Sequence, residues 1–596
     1  MARLRLAICQ IDTVVGDLWG NAERVLDALS AAVGVGASVA LFPELAITGY
    51  PPEDLLHRPA FVADNLAALD HVAGATGVCA AVVGYVARRP DGRLANAAAL
   101  CSGGSVAATY AKRLLPNYGV FDEQRWFVPG EGPPEVVDVA GVPSALSVCE
   151  DIWLDDGPVH AQAAAGARLV LSLNASPYSV GRQDERLELL RRRAVETGCV
   201  IAYANQVGGQ DELVFDGGSA VVGPTGSLVA SAPLFEETVL VTDVEIGPNA
   251  PAEPGLSETP RAARVRTAPG DRLGRALPAS APPVTTGVAE PLDTDAEVYH
   301  ALVVGTADYL GKNGFGDAVV GLSGGIDSSL VATVAVDALG AGHVHGVTMP
   351  SRYSSAGSVT DALALADNLG ISCATVPIED VHRAVGATLA PVLGGLPSGL
   401  TDENLQSRVR GVLLMALSNA NGWIVLTTGN KSEMATGYST LYGDSAGGFA
   451  VIKDVPKTLV YRLCRYRNEA AGRVLVPQAV LDKAPSAELR PDQRDVDSLP
   501  PYEVLDPVLA GYVEQDRSAE ELVAAGFDRD VVERVVRLVD RAEYKRRQMP
   551  PGVRITTKAF GKDRRMPITN RYGAAPRPTG AGAGRGGERA GGAPGA

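Results

Sequence analysis

The most informative stretch of this 596-residue chain reads Val320-Gly321-Leu322-Ser323-Gly324-Gly325-Ile326-Asp327-Ser328-Ser329. An apolar strand runs into a glycine turn, and a helical pattern opens at Ser328. Backbone amides at such a helix start attract anions, and glycine at 324 and 325 lets a phosphate approach the main chain closely. Serine hydroxyls add further donors, and Asp327 is placed to hold a cation that bridges phosphates. The stretch therefore predicts a binding site for the pyrophosphate part of ATP.

The glycine loop differs from two common nucleotide-binding motifs. No Gly-Lys-Ser or Gly-Lys-Thr follows, as a Walker A loop requires, and the glycine spacing is not that of the dinucleotide GxGxxG motif. A tight turn without a ligand is the plain alternative, which the density of Ser, Gly and Asp disfavours. The SGGxDS pattern at residues 323–328 resembles the pyrophosphate loop of the N-type ATP pyrophosphatases. That resemblance implies adenylation of a carbonyl or carboxylate with release of pyrophosphate.

The regions around this loop predict an α/β domain over residues 291–572. It opens near Asp293 with a helical pattern at 297–310. Apolar runs then alternate with helical patterns, as strand 318–322, helix 328–339, strand 343–349, helix 358–369 and strand 371–376. This rhythm predicts a doubly wound parallel sheet, in which ligands bind at the carboxyl ends of the strands.

Polar residues farther along the chain fit the same site. Thr428 follows an apolar strand at 423–426, and Glu433 is placed to join Asp327 at Mg²⁺. The alternative for Glu433 is a helix-start carboxylate beside a cap at Asn430 or Ser432. Four alternating residues of one predicted helix offer donors to a ribose or phosphate, or else form a solvated basic face: Asn404, Gln406, Arg408 and Arg410.

Six segments of this domain resemble the NAD synthetase family: residues 403–410, 428–433, 437–444, 453–458, 485–489 and 543–548. The resemblance covers nearly all of 291–570 and implies a fold like that of the adenine nucleotide α-hydrolases. It implies that ATP is contacted by Gly321, Leu322, Ser323, Gly324, Gly325, Ile326, Asp327, Ser328 and Thr428. It also implies that deamido-NAD is contacted by Asn404, Glu433 and Lys545, with Asp327 and Glu433 near magnesium. Residues 437–444 would shape the nicotinic acid pocket, and loop 482–500 would be a mobile lid.

The N-terminal half, residues 1–247, also alternates apolar runs such as 38–43 and 169–174 with helical patterns such as 184–197. It is predicted to be another α/β domain with a largely buried sheet. Three of its polar segments stand out: Phe42-Pro43-Glu44-Leu45, residues 110–123 around Lys112, and Val148-Cys149-Glu150-Asp151. In order and spacing they resemble the nitrilase-type amidases, which implies an αββα sandwich and a Glu44, Lys112 and Cys149 triad.

Each triad residue has a chemistry that suits amide hydrolysis. Cys149 stands at a predicted strand-to-helix turn, where a nearby cation would depress its pKa and make it a nucleophile. Glu44 would take the thiol proton and later activate water, while Lys112 would stabilise the oxyanion. A small core residue is the alternative for any buried cysteine, and it is preferred for Cys9, Cys79, Cys101 and Cys199.

The glutaminase branch of the amidase family implies further contacts. Glutamine would be bound through its α-amino and carboxylate groups by Tyr118, Ser176 and Arg182. Glu123, in the same segment as Lys112, would orient the lysine. The family thus implies that the N-terminal domain releases ammonia from glutamine.

Composition limits the classes of protein that the chain can belong to. The net charge of −16 disfavours general binding to DNA or RNA, whose phosphates demand a basic surface. The start of the chain lacks a signal-peptide pattern, and no apolar run reaches the roughly 18 residues of a membrane helix. Seven scattered cysteines without a CxxC pair fit the reducing cytoplasm. Residues 248–290 are predicted to be an extended, partly mobile linker, and the Gly/Ala-rich residues 573–596 a disordered tail.

The predicted activities of the two domains are complementary. A glutaminase supplies the ammonia that an adenylated carboxylate needs, which implies a glutamine-dependent member of the NAD synthetase family that consumes ATP and deamido-NAD⁺. Because free ammonia is mostly ammonium at pH 7, a protected channel between the sites is a reasonable hypothesis. The resemblance also implies homo-oligomers, commonly octamers. Two alternatives stay open: another ATP-pyrophosphatase amidotransferase such as GMP synthetase, and a non-catalytic module that senses a nucleotide.

Overall fold

The computed structural model describes residues 2–133, 135–247, 263–264, 273–278, 280–284 and 287–570. The chain divides into two compact units, residues 1–312 and residues 313–596. The predicted tail at 573–596 and most of the predicted linker lie outside the described residues. Within the described ranges, no helix is long and apolar enough to cross a membrane.

The first unit contains two large sheets. Its strands are β1 (Ala2–Gln10), β2 (Val39–Leu41), β3 (Ala80–Arg88), β4 (Leu94–Ser102), β5 (Ser105–Ala111), β6 (Glu135–Val139), β7 (Val142–Val148), β8 (Leu169–Asn174), β9 (Val200–Asn205), β10 (Val207–Gln210), β11 (Leu213–Asp216), β12 (Ala220–Val222), β13 (Leu228–Ser231), β14 (Thr238–Ile246) and β15 (Ala263–Arg264). Its helices are α1 (Leu18–Gly34), α2 (Pro59–Gly74), α3 (Glu150–Trp153), α4 (Pro158–Ala164), α5 (Arg182–Thr197) and α6 (Thr294–Lys312), with 3₁₀ turns at Glu53–His57 and Glu123–Arg125.

The two sheets face each other across one core. One has the strand order β14-β1-β2-β3-β4-β5 and the other β13-β12-β9-β8-β7-β6-β15. The apolar cluster between them takes Leu6 and Ile8 from the first sheet and Leu146 and Leu171 from the second. Helices α1 and α2 cover the outer face of the first sheet, and α4 and α5 that of the second. The predicted αββα sandwich is confirmed.

Helix α6 packs on the hairpin of β10 and β11, which places it in the first unit. Lys312 Nζ, at its end, donates to Asp12 Oδ1 at 2.6 Å and to the Gly209 carbonyl at 2.8 Å. The sequence analysis placed this helix at the start of the second domain. The helical pattern alone does not reveal these contacts, because the partners are distant in sequence.

Short described parts of the predicted linker are extended and paired with the first unit. Ala263–Arg264 forms β15 beside β6. The Leu277 amide donates to the Arg3 carbonyl at 3.1 Å, and the Ala140 amide donates to the Leu273 carbonyl at 2.6 Å. In these places the segment forms sheet-like hydrogen bonds with the amidase-like domain.

The second unit is built on a five-stranded parallel sheet of order β18-β17-β16-β19-β20. Its strands are β16 (Ala318–Gly321), β17 (Val344–Thr348), β18 (Ser372–Thr375), β19 (Ile424–Thr427) and β20 (Phe449–Ala450). Its helices are α7 (Ile326–Leu339), α8 (Ala356–Leu369), α9 (Glu379–Leu393), α10 (Leu400–Asn421), α11 (Lys431–Thr436), α12 (Lys457–Ala471), α13 (Gln478–Asp482), α14 (Tyr502–Leu509), α15 (Ala519–Ala524), α16 (Arg529–Arg541) and α17 (Glu543–Arg546), with 3₁₀ turns at Ala341–His343 and Asp495–Asp497 and a π-helix at Ala510–Glu514.

The strand order explains where ligands can bind in this unit. Strand β16 is central, and the chain runs from it to β17 and β18 on one side and then to β19 and β20 on the other. Such a reversal opens a crevice at the carboxyl ends of the strands on either side of it. The predicted doubly wound parallel sheet is confirmed, and the glycine loop lies at this crevice because it follows β16 directly.

Candidate active sites

Three segments bring the predicted amidase triad together in the first unit. Glu44 follows β2, Lys112 follows β5 and Cys149 follows β7, and all three side chains are buried. Gly84 of β3 makes this arrangement possible, because a Cβ there would lie 2.3 Å from the Leu45 amide nitrogen. The Glu44 turn therefore rests directly on the β3 backbone.

A hydrogen-bond network fixes the two charged members of the triad. Lys112 Nζ donates to Glu44 Oε1 at 2.7 Å and to Glu123 Oε1 at 2.8 Å. Asn96 Nδ2 donates to Glu44 Oε1 at 2.6 Å, and the Ala175 amide donates to Glu44 Oε2 at 3.1 Å. Glu123 thus contacts Lys112 as the sequence analysis expected. Asn96 was missed, because it comes beside Glu44 only through the pairing of β2 with β3 and of β3 with β4.

Cys149 occupies a strained turn between β7 and α3. Its backbone has φ +42° and ψ −99°, a left-handed conformation that a non-glycine residue rarely adopts. Burial raises the pKa of the Cys149 thiol well above its usual value, Glu44 raises it further, and Lys112 lowers it. The expectation of a depressed pKa was therefore wrong, because burial and the Glu44 charge outweigh the cation. A neutral thiol needs a base, and Glu44 acts on this thiol more strongly than the neighbouring carboxylates Glu150 and Glu123.

Tyr118 and Arg182 both lie close to Glu150, the residue after Cys149. The Tyr118 hydroxyl donates to Glu150 Oε1 at 3.0 Å. The Arg182 guanidinium lies 4.1 Å above the Trp153 ring and is paired with Glu185 at 3.1 Å. Burial raises the pKa of Glu150, while Tyr118 and Arg182 lower it. Glu150 was not singled out from the sequence, although its position beside Cys149 was a signal that could have found it.

Ser176 offers a free polar atom in the same unit. Its amide donates to Asn205 Oδ1 at 2.9 Å, which fixes the backbone. The Ser176 hydroxyl is buried and has no hydrogen-bond partner among the described residues. A buried polar atom without a partner is costly, so this hydroxyl is suited to receive a polar ligand.

The glycine loop of the second unit is fixed by hydrogen bonds to its own hydroxyl groups. The Gly325 amide donates to Ser323 Oγ at 3.2 Å, and Ser328 Oγ donates to the Gly325 carbonyl at 3.0 Å. Gly324 has φ +73°, and a Cβ on it would lie 2.2 Å from the Ser358 carbonyl oxygen. Helix α7 begins at Ile326, two residues before the predicted start. The loop therefore presents backbone amides at the start of a 14-residue helix, as an anion site requires.

A cavity of about 410 Å³ opens at this loop. The predicted residues that line it are Gly321, Leu322, Ser323, Gly325, Ile326, Asp327, Ser328, Asn404, Thr428, Glu433 and Lys545. Gly324 lies in the loop but does not line the cavity. Loop 482–500, the predicted lid, also contributes, from Lys483 to Asp495. The structure thus brings together residues that are more than 200 positions apart in the chain.

A buried lysine joins the two carboxylates predicted to lie near magnesium. Lys457 pairs with Asp327 and lies 3.3 Å from Glu433 Oε1, while Asn430 Nδ2 donates to Asp327 Oδ1 at 2.8 Å. Burial raises the pKa of Glu433, although Lys457 lowers it. Glu433 also forms a capping box with Asn430, which confirms the helix-start alternative for this residue. Lys457 was missed, although it lies in one of the segments that carried the resemblance.

The remaining predicted residues are held by the backbone around the cavity. Lys545 Nζ donates to the Gly437 and Ser439 carbonyls at 2.9 and 2.8 Å, and Asn404 Oδ1 accepts from Thr440 Oγ1 at 2.8 Å. The other three alternating residues of α10 donate to backbone carbonyls, so the solvated basic face is excluded: Gln406, Arg408 and Arg410.

Each half of the chain matches a known protein family. The family model for NAD synthase matches residues 298–550, and that for carbon-nitrogen hydrolase matches residues 5–248. The glutamine-dependent NAD(+) synthetase from Thermotoga maritima is 45% identical over 96% of this chain and 99% of its own length. The one from Xanthomonas campestris is 46% identical over 96% of this chain and 98% of its own length.

Two solved structures align with 96% of this chain. The glutamine-dependent NAD⁺ synthetase from Acinetobacter baumannii, in complex with adenosine diphosphate, aligns with a TM-score of 0.72 and 38% identity over 96% of this chain and 100% of that chain. The enzyme from Cytophaga hutchinsonii aligns with a TM-score of 0.79 at 21% identity, over 96% of this chain and 99% of that one, which supports the fold. With relatives of this identity and coverage, the chain belongs to the glutamine-dependent NAD(+) synthetase family.

Proposed function

We propose that this protein makes NAD⁺ from deamido-NAD⁺, ATP and glutamine, with release of AMP, pyrophosphate and glutamate. The observation that carries the proposal is the presence of two complete constellations in one chain. One is the buried Glu44, Lys112 and Cys149 set, and the other is the cavity at the glycine loop of residues 321–328. Either alone would fit several enzymes, whereas together they fit amide transfer to an adenylated carboxylate.

In the first unit, Glu44 takes the proton of the Cys149 thiol as the sulfur attacks the glutamine side-chain amide. Lys112 and nearby backbone amides stabilise the oxyanion, and the thioester forms as ammonia leaves. Glu44 then activates the water that releases glutamate. Tyr118, Ser176 and Arg182 are proposed to hold the α-amino and carboxylate groups of glutamine. The free Ser176 hydroxyl supports this assignment.

In the second unit, the loop amides and serine hydroxyls hold the ATP phosphates while the nicotinate carboxylate attacks the α-phosphate. ATP is proposed to contact Gly321, Leu322, Ser323, Gly324, Gly325, Ile326, Asp327, Ser328 and Thr428. Asn404, Glu433 and Lys545 are proposed to position deamido-NAD⁺. Ammonia then displaces AMP from the adenylate. Loop 482–500 is proposed to close over the reacting groups and exclude water.

We also propose that Asp327 and Glu433 bind Mg²⁺. Two carboxylates together with substrate phosphates form the donor set that this ion prefers in proteins. The pairing of Lys457 with both of them indicates that they present negative charge to a cation. When bound, Mg²⁺ supplies charge neutralisation at the leaving pyrophosphate.

A comparison of acceptors tests this function. The full-length protein is incubated with ATP, Mg²⁺ and glutamine or ammonium chloride, with either deamido-NAD⁺ or xanthosine monophosphate, and AMP release is measured. We expect AMP only with deamido-NAD⁺, from both nitrogen donors. Release with xanthosine monophosphate would favour a GMP synthetase, and no release with any acceptor would favour a nucleotide-sensing module.

Replacing Glu44 by glutamine tests its role as the base. The amide keeps the shape of the side chain but cannot accept the Cys149 proton, so glutamine hydrolysis is expected to fall by about 10²–10⁴-fold. NAD⁺ synthesis from ammonium should be unchanged, because the second site does not use this residue. Asp54→Asn, on the exposed surface of the same unit, is the matched control. Unimpaired glutamine hydrolysis in Glu44→Gln would exclude Glu44 as the base.

Replacing Gly324 by alanine tests the loop geometry. A left-handed conformation costs a non-glycine residue about 1–2 kcal/mol, and the new Cβ would also displace the Ser358 backbone. The KM for ATP is therefore expected to rise at least about tenfold, since 1.4 kcal/mol corresponds to a factor of ten. Gly342→Ala is the comparison, because this glycine does not line the cavity and a Cβ there would meet nothing within 4 Å. Equal effects of the two substitutions would contradict this account of the loop.

We further propose that the enzyme works in the cytoplasm as a homo-oligomer and passes ammonia between its sites without release to solvent. The seven free cysteines support a reducing compartment. Residues 1–247, 248–290 and 291–572 are proposed as the functional divisions of the chain. Light scattering of the purified protein measures the oligomeric state, and a monomer would contradict that part of the proposal.

A further inference from the structure

Glu488 lies in loop 482–500, and the function proposed above gives this residue no role. Its backbone has a left-handed conformation, with φ +50°, which a non-glycine residue rarely adopts. Its side chain lines the synthetase cavity. A strained backbone of this kind persists only where the surrounding contacts maintain it. The contacts of the Glu488 carboxylate therefore show what holds the loop in place.

The Glu488 carboxylate is held by donors at the start of α8. Its Oε1 accepts from Ser358 Oγ at 2.7 Å and from Ser355 Oγ at 3.1 Å, and its Oε2 accepts from the Ser355 amide at 3.2 Å. Lys483, from the same loop, pairs with Oε1 at 3.1 Å. The helix dipole also favours a negative charge at this end of α8. The carboxylate thus fastens the loop to α8.

These contacts favour the charged form of Glu488. Burial raises the pKa of this carboxyl, but the hydrogen bonds from Ser358, Lys483 and the Ser355 amide outweigh it, so the pKa lies below its usual value. Because the folded-state pKa is lowered, these contacts contribute fully above the ordinary glutamate pKa and are lost as the pH falls through the lowered value. The loop is therefore fastened by a charged carboxylate at neutral pH.

The part of the loop around Glu488 is also bonded internally. Ser486 Oγ donates to the Gln493 carbonyl at 2.6 Å, and the Leu489 amide donates to Gln493 Oε1 at 2.9 Å. The Leu489 carbonyl accepts from Gln406 Nε2 of α10 at 3.0 Å. These residues form one hydrogen-bonded turn, so the attachment of Glu488 fixes the whole turn at the cavity, which Ser486 and Leu489 also line.

The start of α8 lies against the glycine loop as well. A Cβ on Gly324 would lie 2.2 Å from the Ser358 carbonyl oxygen, so the two backbones approach closely. Ser358 thus meets the glycine loop through its carbonyl and Glu488 through its hydroxyl. The first turn of α8 therefore links the position of loop 482–500 to that of the proposed phosphate site.

We propose that Glu488 is a positioning residue that keeps loop 482–500 closed over the adenylate, so that ammonia reaches this intermediate and water does not. This assignment rests on the proposed function. It adds the residue on which closure depends. A closed site protects a reactive intermediate from hydrolysis.

The side reaction that Glu488 would prevent is hydrolysis of the adenylate. The water oxygen forms a bond to the carbonyl carbon of the nicotinate, the bond from that carbon to the AMP oxygen breaks, and AMP leaves with the electron pair. The protons of the water pass to solvent. The products are AMP and deamido-NAD⁺, so ATP is consumed and no NAD⁺ is made. An excess of AMP over NAD⁺ therefore reports the loss of closure.

Replacing Glu488 by glutamine tests this role through the products. The full-length protein is incubated with ATP, Mg²⁺, deamido-NAD⁺ and limiting ammonium chloride, and AMP and NAD⁺ are both measured. We expect equal amounts of the two from the wild type. Hydrogen bonds to a charged group contribute a factor of about ten or more to an equilibrium, so the AMP made without NAD⁺ should rise about tenfold or more in Glu488→Gln.

Hydrogen exchange gives a second readout, which does not depend on NAD⁺ synthesis. It is measured by mass spectrometry on the full-length protein. Exchange at residues 484–494 should be faster in Glu488→Gln, while exchange in α7 should be unchanged. Asp492→Asn is the matched control, because Asp492 also has a left-handed conformation, at φ +53°, but is exposed and does not line the cavity. It should leave the product ratio and the exchange unchanged.

Ser355→Gly keeps the proposal testable if Glu488→Gln fails to fold. Ser355 is the N-cap residue of α8, a position where glycine is tolerated, and its side chain does not line the cavity. The substitution removes one of the hydroxyl donors to Glu488 and keeps the backbone amide. It should raise the excess of AMP by less than Glu488→Gln does.

Equal amounts of AMP and NAD⁺ from Glu488→Gln would overturn the assignment, and so would unchanged hydrogen exchange at residues 484–494. An equal excess of AMP from Asp492→Asn would also contradict it, because the effect would then not depend on the contacts with α8. If Glu488→Gln does not fold, equal amounts of AMP and NAD⁺ from Ser355→Gly decide against it. Wild-type protein that forms no NAD⁺ would instead overturn the proposed function.

Discussion

Replacing Cys149 by alanine will abolish NAD⁺ synthesis from glutamine and leave synthesis from ammonium salts intact. The sulfur is the atom that forms the thioester, so no other group in the buried Glu44 and Lys112 network can replace it. Loss of a nucleophile of this kind lowers the rate by about 10⁴–10⁶-fold. Ammonium reaches the second site without passing through the thioester, so its use should be unaffected. The measurement is NAD⁺ formed with each nitrogen donor, at matched protein concentration.

Cys199→Ala is the control for this variant. Cys199 is also fully buried in the first unit, but its sulfur donates weakly to the Ala167 carbonyl and takes no part in the Glu44 and Lys112 network. The Cys199→Ala substitution should lower the stability of the protein and leave its glutamine hydrolysis unchanged. If Cys149→Ala still made NAD⁺ from glutamine, Cys149 would be excluded as the nucleophile. Loss of both nitrogen donors would contradict the separation of the two sites.

Replacing Asp327 by asparagine will have the opposite effect to Cys149→Ala: NAD⁺ synthesis will be lost and glutamine hydrolysis retained. Asp327 lies at the start of α7, pairs with Lys457 and is proposed to hold Mg²⁺ at the pyrophosphate. Removing its charge should lower NAD⁺ synthesis from both nitrogen donors by about 10²–10³-fold, because charge stabilisation at the leaving group is lost. Glutamine hydrolysis by Cys149 should continue, which is measured as glutamate release in the absence of ATP.

Asp337→Asn provides the control at the other end of the same helix. Asp337 pairs with Arg467 on the surface, and exposed pairs contribute about 0–1 kcal/mol. Full activity is expected. If Asp327→Asn still made NAD⁺ at the wild-type rate, the glycine loop would not be the adenylation site. The opposite losses in Cys149→Ala and Asp327→Asn would assign the two chemistries to separate units.

The local elements of both units were predictable because their patterns are local. The predicted strand 318–322 is observed as Ala318–Gly321, and the predicted helix 358–369 as Ala356–Leu369. The proposed triad of Glu44, Lys112 and Cys149 was predicted from segment motifs, and each of these residues follows a strand. The helices and strands needed only periodicity and turn residues, whereas the site residues also needed the resemblance to the two families.

What escaped prediction depends on contacts between distant parts of the chain. Asn96 reaches Glu44 only through strand pairing, and Lys457 pairs with Asp327 across 130 positions. The direction of the Cys149 pKa shift was wrong because burial is a property of the folded core and not of the local sequence. The Lys312 contacts with Asp12 and Gly209 likewise join residues that are 300 and 103 positions apart.

The most direct test of the two-site account follows the nitrogen atom itself. Full-length protein is given glutamine labelled with ¹⁵N in the side-chain amide, together with unlabelled ammonium chloride, deamido-NAD⁺, ATP and Mg²⁺, and the NAD⁺ is analysed by mass spectrometry. The account predicts NAD⁺ that carries ¹⁵N with the wild-type protein, and unlabelled NAD⁺ with Cys149→Ala. Unlabelled NAD⁺ from the wild-type protein would contradict the claim that Cys149 supplies the nitrogen used at the glycine loop.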